Sequence, residues 1–537
     1  MNLVAELARF NPDPTLANWI TGALQQHLDQ AQKDTAEVRR QITLRDTELR
    51  AAQTKIQALT LELAHLRRMR FGVRNEALST EQRDLFQETL ASDLAAAEAE
   101  LAKRAALATP EAQVPRAARP RAGRQPLPDH LPRIEHRHEP DSCTCGQCGN
   151  DLVKIGEDVS EQLDVEPARF FVHRHIRPQY ACRACETVSA APIPPAVIDG
   201  GLAATGLYVW VLIGKYLDHL PLYRLEQMAV RDQVTLSRST MAQWVGRIGV
   251  ALQPLADRLA QLLLERPVLH ADETPVAQLD PGKGKTHRAY LWAYRSTVWG
   301  TGPPIVVFDY QTSRAGRHAK AFLANWRGHL MVDDFSGYKA LFTDGVTELG
   351  CMAHARRKFF DLNAAQASPF ALEALKRIAA LYVIEHQGKN MDVAARTQWR
   401  QEQAQPLLDS LHAWLRSTRA GVVANGSGMA KAMDYSLRRW AALSRYASDG
   451  RLPIDNNPVE NIIRPIAIGR KNWLFTGSER AGQRAAAIQT LLGTAKLNGL
   501  DPAAWLRDTL EKLPTCLNSQ LDSLLPLRVD PLHPSTQ

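Results

Sequence analysis

The stretch Val268-Leu-His-Ala-Asp-Glu-Thr274 decides the fold, because an apolar strand here runs directly into carboxylates. The later run His329-Leu-Met-Val-Asp333 has the same form, and Asp334 follows it. A carboxylate that closes a buried strand is desolvated, which is costly unless the group pairs or binds a metal ion. The two strands are therefore expected to present Asp272 and Asp333 on one side of a sheet.

The region around these strands has the pattern of a mixed sheet covered by helices. Strands are predicted at 267–274, 288–294, 304–310, 329–333 and 347–352, with a helix at 315–326. The pattern is helical from His354 to Ser448, and helices resume at Pro458 and after Ser478. Three strands, a helix and further strands indicate mixed α/β layers.

A third acid lies in Asp455-Asn-Asn-Pro-Val-Glu460. This segment predicts a helix with N-cap Asn457, Pro458 at its first position and Glu460 at its third. Glu460 is then either a capping-box residue with a local role or a catalytic carboxylate. Two aspartates and a glutamate suit two-metal catalysis, and Mg²⁺ is the expected ion because it binds a few carboxylates together with waters and substrate phosphates.

A basic segment follows this glutamate. Between Arg464 and Lys496 there are six basic residues against one acid, Glu479, with aromatic side chains interleaved. The pattern fits either a solvated face or a channel that holds DNA phosphates and bases. The candidate DNA contacts are Arg464, Arg470, Lys471, Trp473, Arg480 and Arg484, with Arg356 and Arg357 of the cluster His354-Ala-Arg-Arg-Lys358.

The cysteines form two knuckles, Cys145-Gly-Gln-Cys148 and Cys182-Arg-Ala-Cys185. Two such knuckles make a closed tetrahedral Cys₄ site, which is typical of structural Zn²⁺. The alternative is a set of core cysteines without a metal. Cys143 can replace a neighbouring ligand, whereas Cys351 and Cys516 are isolated and expected to be inert.

The N-terminal region has apolar residues at alternating spacings of three and four from Leu24 to about Arg68. This period predicts a self-associating coiled coil or, alternatively, one amphipathic helix packed on its own protein. Residues 105–140 are rich in proline and arginine and predict an extended linker, either a spacer or an arm that follows DNA phosphates. Residues 222–230 and 238–248, with N-cap Ser237, have the size of a helix-turn-helix or of a core hairpin.

Composition excludes several classes of protein. The chain has 537 residues, 23% of them charged, with 65 basic and 57 acidic residues and a net charge of +8. These values argue against wholesale disorder, a collagen-like fibre and a small disulfide scaffold. No apolar run approaches the roughly 20 residues that cross a membrane, and the start lacks a signal-peptide pattern, so a cytoplasmic location is expected.

In these segments the chain resembles a transposase of the Insertion Sequence 66 family, one of the DDE transposases. The resemblance is carried by a series of motifs that spans residues 60–510 in family order. They are Leu66-Arg-Arg-Met-Arg-Phe-Gly72, Cys145 to Cys185 with Gly156-Glu-Asp-Val-Ser-Glu-Gln-Leu163, Tyr216-Leu-Asp-His-Leu-Pro-Leu-Tyr-Arg224, Leu236-Ser-Arg-Ser-Thr240, His270-Ala-Asp-Glu-Thr274, Val332-Asp-Asp-Phe-Ser-Gly-Tyr338, Cys351-Met-Ala-His-Ala-Arg-Arg-Lys-Phe359, Ile454-Asp-Asn-Asn-Pro-Val-Glu460 and Gly469-Arg-Lys-Asn-Trp-Leu-Phe-Thr-Gly-Ser478.

The resemblance implies an RNase H-like core in which Asp272, Asp333 and Glu460 hold two Mg²⁺ ions; many relatives have Gly where this chain has Asp334, so Asp334 is the alternative second acid. It implies a bacterial, nucleoid-associated enzyme that binds terminal inverted repeats, cuts there and joins the ends to target DNA. A homodimer or higher oligomer through the coiled coil and accessory proteins of the same element are implied partners. The alternatives are a non-catalytic DNA-binding regulator and a non-specific nuclease.

The expected fold class is multidomain α+β. Its parts are an N-terminal helical or coiled-coil region (1–104), a linker (105–140), a zinc-binding domain (141–195), a helix-turn-helix-like segment (196–265), the first part of the catalytic core (266–362), a helical insertion (363–450), the second part of the core with the Glu460 helix and the basic segment (451–514), and a loose tail (515–537).

Overall fold

The computed structural model describes residues 29–41, 56, 60, 127–139, 147, 148, 150–166, 169–280, 282–300, 302–365 and 368–528. The chain divides into two compact units, one of Met1–Met69 with Ala97–Arg121 and one of Arg70–Ala96 with Ala122–Gln537. In the first unit, residues 29–41 are helical and exposed. Most of the heptad positions, the arginine-rich run at 115–125, Cys143 and Cys145 lie outside the described residues.

The first sheet, in the second unit, is mixed and has four strands. They are β1 (Arg133–Arg137), β2 (Val153–Glu166), β3 (Arg169–Ala181) and β4 (Val188–Ala190). β3 lies antiparallel to β2 and β4 and parallel to β1. β1 falls inside the segment predicted as linker, and that prediction is wrong for residues 127–139: Leu127 and Leu131 are buried and β1 pairs with β3. The proline and arginine content of the segment favoured an extended linker. The strand depends on pairing with residues 39 positions later in the chain, as between Arg133 and Val172, which composition does not predict.

Three helices connect this sheet to the next one. They are α1 (Thr205–Tyr216), α2 (Leu222–Arg231) and α3 (Arg238–Leu264). The predicted N-cap is confirmed, since the Ser237 hydroxyl accepts a hydrogen bond from Thr240 N at 3.1 Å. α3 is much longer than predicted and buries Met241, Leu252 and Leu259 completely. This hairpin therefore helps to build the core.

The second sheet contains all five strands predicted between residues 266 and 352. They are β5 (Val268–Asp280), β6 (Lys285–Ser296), β7 (Val306–Gln311), β8 (His329–Val332) and β9 (Thr347–Gly350), with helices α4 (Arg317–Leu323) and α5 (Lys339–Thr343) between them. The strand order is β7-β6-β5-β8-β9. β5, β6 and β7 are antiparallel neighbours, whereas β5, β8 and β9 run parallel. The sheet is mixed, as expected.

Apolar side chains alternate between the two faces of the second sheet. Trp292 and Tyr294 join the core that includes α3, whereas Leu291 and Ala293 join a core with Val459 and neighbouring residues of a later helix. A strand whose two faces are both covered reads as an almost continuous apolar run. This double coverage explains why the run before Asp272 is so apolar.

A group of helices follows β9. They are α6 (Met352–Ala365), α7 (Pro369–Gln387), α8 (Val393–Trp399), α9 (Gln405–Gly421), α10 (Gly428–Arg438) and α11 (Trp440–Ser444). Arg396 and Arg400 are buried, and each donates to a Glu385 carboxylate oxygen at 2.6 Å. Met331 and Leu349 of the sheet share a core with these helices. The helical group is therefore packed against β8 and β9.

The chain ends in α12 (Asn457–Trp473), α13 (Glu479–Leu497) and α14 (Pro502–Lys512). The loose-tail prediction is wrong for residues 515–528. Asn518–Leu524 form a 3₁₀ helix, Leu524 and Leu525 are buried, and Arg258 makes two hydrogen bonds to the Asp522 carboxylate at 2.7 and 2.9 Å. The leucines of this segment supply apolar surface that offsets the cost of ordering it. Among the described residues, no helix combines the length and apolar character needed to cross a membrane.

Candidate active site and zinc module

Asp272 and Glu273 project from opposite faces of β5. In the ladder with β6, Asp272 pairs with Ala293 and Glu273 with Trp292, and successive side chains of a strand alternate between faces. Asp272 therefore lies on the face that α12 covers. Glu273 lies on the face of Trp292.

The register of β5 and β8 places Asp333 beside Asp272. His270 and Met331 are the last pair of this parallel ladder, and Asp272 and Asp333 each follow that pair by two residues. Burial, together with smaller contributions from the charges of Glu273, Asp333 and Glu460, raises the pKa of Asp272 to about 8. Three acids thus act on the Asp272 carboxyl group. Ionisation of all four carboxyl groups at once is unfavourable, because like charges repel one another.

Asp333 and Asp334 have different surroundings. The Asp333 carboxylate accepts a hydrogen bond from Phe335 N at 2.8 Å and faces Asp272 closely enough to raise its pKa. The Asp334 side chain is 45% exposed and lies 3.7 Å from the buried Arg439 guanidinium. Arg439 also donates to the Asp333 carbonyl oxygen at 2.9 Å. Asp333 therefore lies on the side of Asp272, while Asp334 pairs with a cation elsewhere.

The start of α12 differs from the predicted capping box. The N-cap is Asn456, one residue earlier than predicted, and its side chain makes no capping hydrogen bond. Instead, its amide donates to the Ala271 carbonyl at 2.9 Å and its oxygen lies 3.1 Å from His270 Nδ1. Glu460 is therefore the fourth residue of the helix rather than the third, and the capping-box interpretation is wrong. The buried Asn456 fastens the start of α12 to the strand that carries Asp272.

Glu460 has no local partner that explains its burial. Its Oε1 atom is buried without a hydrogen-bond partner in the described part of the chain. His354 Nδ1 lies 3.7 Å from that atom and is likewise buried without a hydrogen-bond partner among the described residues. Buried polar atoms of this kind are rare in native proteins and call for an explanation.

Glu273 is a site residue that sequence reasoning did not single out. Its side chain is 1% exposed, and it is held by Arg314 at 2.5 Å and by the Tyr338 hydroxyl, which donates at 2.8 Å. Arg314 also lies 3.8 Å above the Phe335 ring. Burial raises the pKa of Glu273, and these two hydrogen bonds oppose the rise. In the sequence, Glu273 is visible only as the second acid of the Asp272-Glu273 pair. Its role could not be predicted because its partner, Arg314, is 41 residues away.

The basic residues around Glu460 fall into two groups. Arg464 and Lys471 of α12 are exposed, as are Arg356 and Arg357 of α6. The other four residues are at least partly buried: Arg470, Trp473, Arg480 and Arg484.

Two of the partly buried arginines make their contacts inside the protein. Arg470 donates to the Thr274 hydroxyl at 3.3 Å and to the Pro275 carbonyl, so it ties α12 to β5. Arg484 is 6% exposed and fills the space beside Gly249 of α3, where an added Cβ would collide with it. The carbon atoms of the Arg484 side chain are the ones that pack there, and a residue this buried offers little surface to a DNA phosphate.

The described cysteines of the two knuckles lie together. Cys148 Sγ is 3.3 Å from Cys182 Sγ and 3.8 Å from Cys185 Sγ. Thiolates on one tetrahedral Zn²⁺, with Zn–S bonds of about 2.3 Å, lie roughly 3.8 Å apart. The three thiols therefore fit such an ion, and the predicted fourth ligand, Cys145, is outside the described residues.

Family comparisons cover most of the chain after residue 57. A family model described as Transposase IS66 family matches residues 200–484, more than half of the chain. The zinc-finger binding domain of transposase IS66 matches residues 142–186, the Transposase C of IS166 homeodomain matches residues 58–135, and the IS66 C-terminal element matches residues 490–527. The C-terminal match includes the packed segment that the sequence predicted to be loose.

Curated relatives from Sinorhizobium fredii (strain NBRC 101917 / NGR234) are similar over comparable lengths. Uncharacterized protein y4qI is 39% identical over 499 residues, which cover 90% of this chain and 90% of the relative. Uncharacterized protein y4hP is 35% identical over 495 residues, with 88% of each chain covered. The matched domains and these full-length similarities lead to one assignment: the chain belongs to the Transposase IS66 family.

Proposed function

We propose that this protein is a DNA transposase that binds the terminal inverted repeats of its own element and cuts and joins DNA strands there. The observation that carries the proposal is that Asp333 and Glu460 lie close enough to Asp272 to act on its carboxyl group. Burial, with the charges of Glu273, Asp333 and Glu460, raises the pKa of Asp272 to about 8. Bound cations relieve such crowding of carboxylates. The mixed strand order supports an RNase H-like core around this site.

Asp272, Asp333 and Glu460 offer only oxygen donors, which is the ligand chemistry that Mg²⁺ prefers. When bound, Mg²⁺ supplies Lewis-acid stabilisation of the phosphoryl transition state and favours a deprotonated attacking oxygen. The protein supplies the placement of its carboxylates. β5 and β8 fix the two aspartates side by side, and the Asn456 hydrogen bonds fix the start of the helix that bears Glu460.

The exposed cations provide a path for DNA to this site. Arg464 is one turn after Glu460 on α12, and Arg356 and Arg357 follow His354 on α6. Side chains four residues apart share one face of a helix, so Arg464 extends the face of Glu460 with positive charge. We assign DNA-phosphate contacts to these three residues and to Lys471, and a packing role to Arg484.

The remaining parts of the chain serve assembly in this proposal. A structural Zn²⁺ on Cys145, Cys148, Cys182 and Cys185 holds the zinc module, and the N-terminal helical region pairs two protein copies so that two element ends meet. Accessory proteins of the same element join this assembly at the bacterial nucleoid. Phosphates along both element ends and the target supply the negative charge that the exposed arginines match.

Strand cleavage with Mg²⁺ tests the proposal directly. The substrate is DNA carrying the element's own end beside flanking sequence, and cleavage and joining are followed on labelled strands. Asp272→Asn, Asp333→Asn and Glu460→Gln are each expected to lower the rate by about 10³-fold or more, because residues that act as a unit fail together. Asp334→Asn is the matched control and should retain activity, since its carboxylate pairs with Arg439.

Three outcomes would replace the proposal. Undiminished cleavage by Asp272→Asn contradicts the assigned acids. Specific binding of the end without cleavage by the wild type indicates a non-catalytic regulator. Digestion of DNA that lacks the repeats, at the same rate, indicates a non-specific nuclease.

A further inference from the structure

A cysteine and a histidine lie beside the third carboxylate of the candidate active site. Cys351 immediately precedes α6, His354 lies in the first turn of α6, and Glu460 lies in the first turns of α12. One ligand atom from each of these side chains lies within 4.8 Å of the others. Cys351 was expected to be an isolated, inert thiol, but this prediction concerned only neighbours in sequence.

Two of the three ligand atoms have no other partner. His354 Nδ1 and Glu460 Oε1 are buried, lack a hydrogen bond in the described part of the chain and lie 3.7 Å apart. Leaving two such atoms unsatisfied destabilises the folded chain, because each has lost its hydrogen bonds to water. Their side chains as a whole are 27% and 20% exposed, so the two atoms lie just below the surface.

The cysteine is prepared for a metal rather than for reaction as a free thiol. Cys351 is fully buried, and Asn456 N donates to its sulfur at 3.2 Å. Metal-bound thiols are deprotonated, and an N–H donor such as this one stabilises the charge on the sulfur. Cys351 and His354 also have the two-residue spacing common in zinc sites.

We propose that Cys351, His354 and Glu460 form a transition-metal site that takes Zn²⁺, and that its occupation inhibits strand cleavage by removing Glu460 from the Mg²⁺-binding set. Sulfur and imidazole ligands select Zn²⁺ over Mg²⁺, which prefers oxygen. Three protein ligands leave one position open for water. The binding half depends only on these three residues, whereas the inhibition half rests on the proposed function.

Zinc stoichiometry of the full-length chain tests the binding half. The protein is dialysed against buffered ZnCl₂ and analysed for metal by mass spectrometry. The wild type is expected to hold about two zinc ions, one in the cysteine knuckles and one here, and His354→Ala and Cys351→Ser about one. Cys516→Ser is the matched control and should keep both ions, because it changes a cysteine outside either cluster.

A knuckle variant separates the two sites. Cys182→Ser should lose one ion and keep the other, and adding His354→Ala should remove the second. Because His354 is half-buried on a helix surface, His354→Ala also provides a variant whose fold is less at risk than that of Cys351→Ser. A wild type with only one ion, or two ions retained in His354→Ala, overturns the site.

Zinc inhibition of Mg²⁺-dependent cleavage tests the second half. Each protein is compared with its own zinc-free rate, and the half-inhibitory concentration of free Zn²⁺ should rise at least about tenfold in His354→Ala. An unchanged concentration contradicts inhibition through this site. If no variant or wild type cleaves DNA at all, the proposed function fails, yet zinc stoichiometry still decides the site.

Discussion

The two sheets of the second unit treat their buried polar groups differently. In the first sheet, His173 bridges His136 and Asp164 with two hydrogen bonds of 2.7 Å, and His175 lies 3.2 Å from the Gln162 side-chain oxygen. In the second sheet, Asp272 is surrounded by other acids, and the Glu460 Oε1 atom lacks a hydrogen-bond partner.

The difference separates a network that stabilises the fold from a cluster of like charges that does not. Polar groups that satisfy one another add rigidity at little cost. Like charges that crowd together, by contrast, lower the stability of the folded chain unless a cation joins them. The polar side chains of the first sheet therefore stabilise one another, whereas Asp272 of the second sheet lies among acids that destabilise its charged form.

The largest expected effect comes from removing a zinc ligand in the first sheet. Cys182→Ser should release the structural zinc and destabilise the β2–β3 region by at least about 3 kcal/mol, because zinc binding and folding of such modules are coupled. Hydrogen exchange of amides in β2 and β3 measures this loss. Amides of β5 and β6 should keep their protection, since they belong to a separate sheet. Equal loss in both sheets would show instead that the two sheets unfold together.

The next largest effect is expected at Asp272, where the substitution should stabilise the folded chain rather than destabilise it. The folded chain holds the Asp272 proton up to about pH 8, whereas the unfolded chain releases it near pH 4. The folded state therefore binds more protons between these values, and stability falls as pH rises through that window. In Mg²⁺-free buffer at pH 8, Asp272→Asn should raise the free energy of unfolding by about 1–3 kcal/mol.

Chemical denaturation at pH 5 and pH 8 measures the effect of Asp272→Asn. Asp334→Asn is the control and should not flatten the pH dependence, because Asp334 pairs with Arg439. Adding Mg²⁺ should stabilise the wild type more than Asp272→Asn, as expected when a ligand binds only the folded state. A destabilised Asp272→Asn at pH 8 would mean that the carboxylate is already satisfied within the protein.

A smaller effect is expected from single cations on α12. Arg464→Ala and Lys471→Ala should each weaken DNA binding by about 1 kcal/mol and reduce the slope of log affinity against log salt by about 0.9. Arg470 is tied to β5 through Thr274 and Pro275, so Arg470→Ala should act mainly on stability. Binding measured across a salt series distinguishes these results. An unchanged slope in both exposed-residue variants would remove α12 from the DNA path.

Local pattern was sufficient to predict much of the second sheet. Its five strands and the Ser237 N-cap follow from residues that lie next to one another in the chain. The apolar runs that lead into Asp272 and Asp333 are also strands, β5 and β8, and they are neighbours in the sheet. These features depend on periodicity and capping, which short segments carry in full.

Other features depend on partners that are distant in sequence. Asn456 does not cap its helix because it bonds His270 and Ala271, which precede it by more than 180 residues. Arg484 looked like a DNA contact, yet it fills a space beside Gly249. The thiol of Cys351 looked isolated until Glu460 came beside it. In each case the sequence shows which chemical group is present, but the role of that group depends on the residues that tertiary packing brings beside it.

The smallest expected effect is acid sensitivity of the histidine network in the first sheet. Burial, together with smaller contributions from the neighbouring His136, His138 and His173, lowers the pKa of His175 to about 4. The unfolded chain binds this proton near pH 6.5, so stability is complete above that value and is lost as pH falls from about 6.5 towards 4. The loss should stay below about 1 kcal/mol, because the cluster is partly exposed and solvent screens it.

His175→Gln tests this contribution because glutamine keeps a hydrogen-bonding side chain but cannot titrate. Amide exchange in β3 at pH 7 and pH 5 should show a smaller acid-induced loss of protection in His175→Gln than in the wild type, with zinc content measured alongside. Loss of zinc at pH 5 in both proteins would assign the change to the cysteines. If zinc stays bound and both proteins lose the same amount of amide protection, protonation of His175 does not affect the stability of the first sheet. The stability of this sheet in acid then depends on its arginine–carboxylate pairs instead.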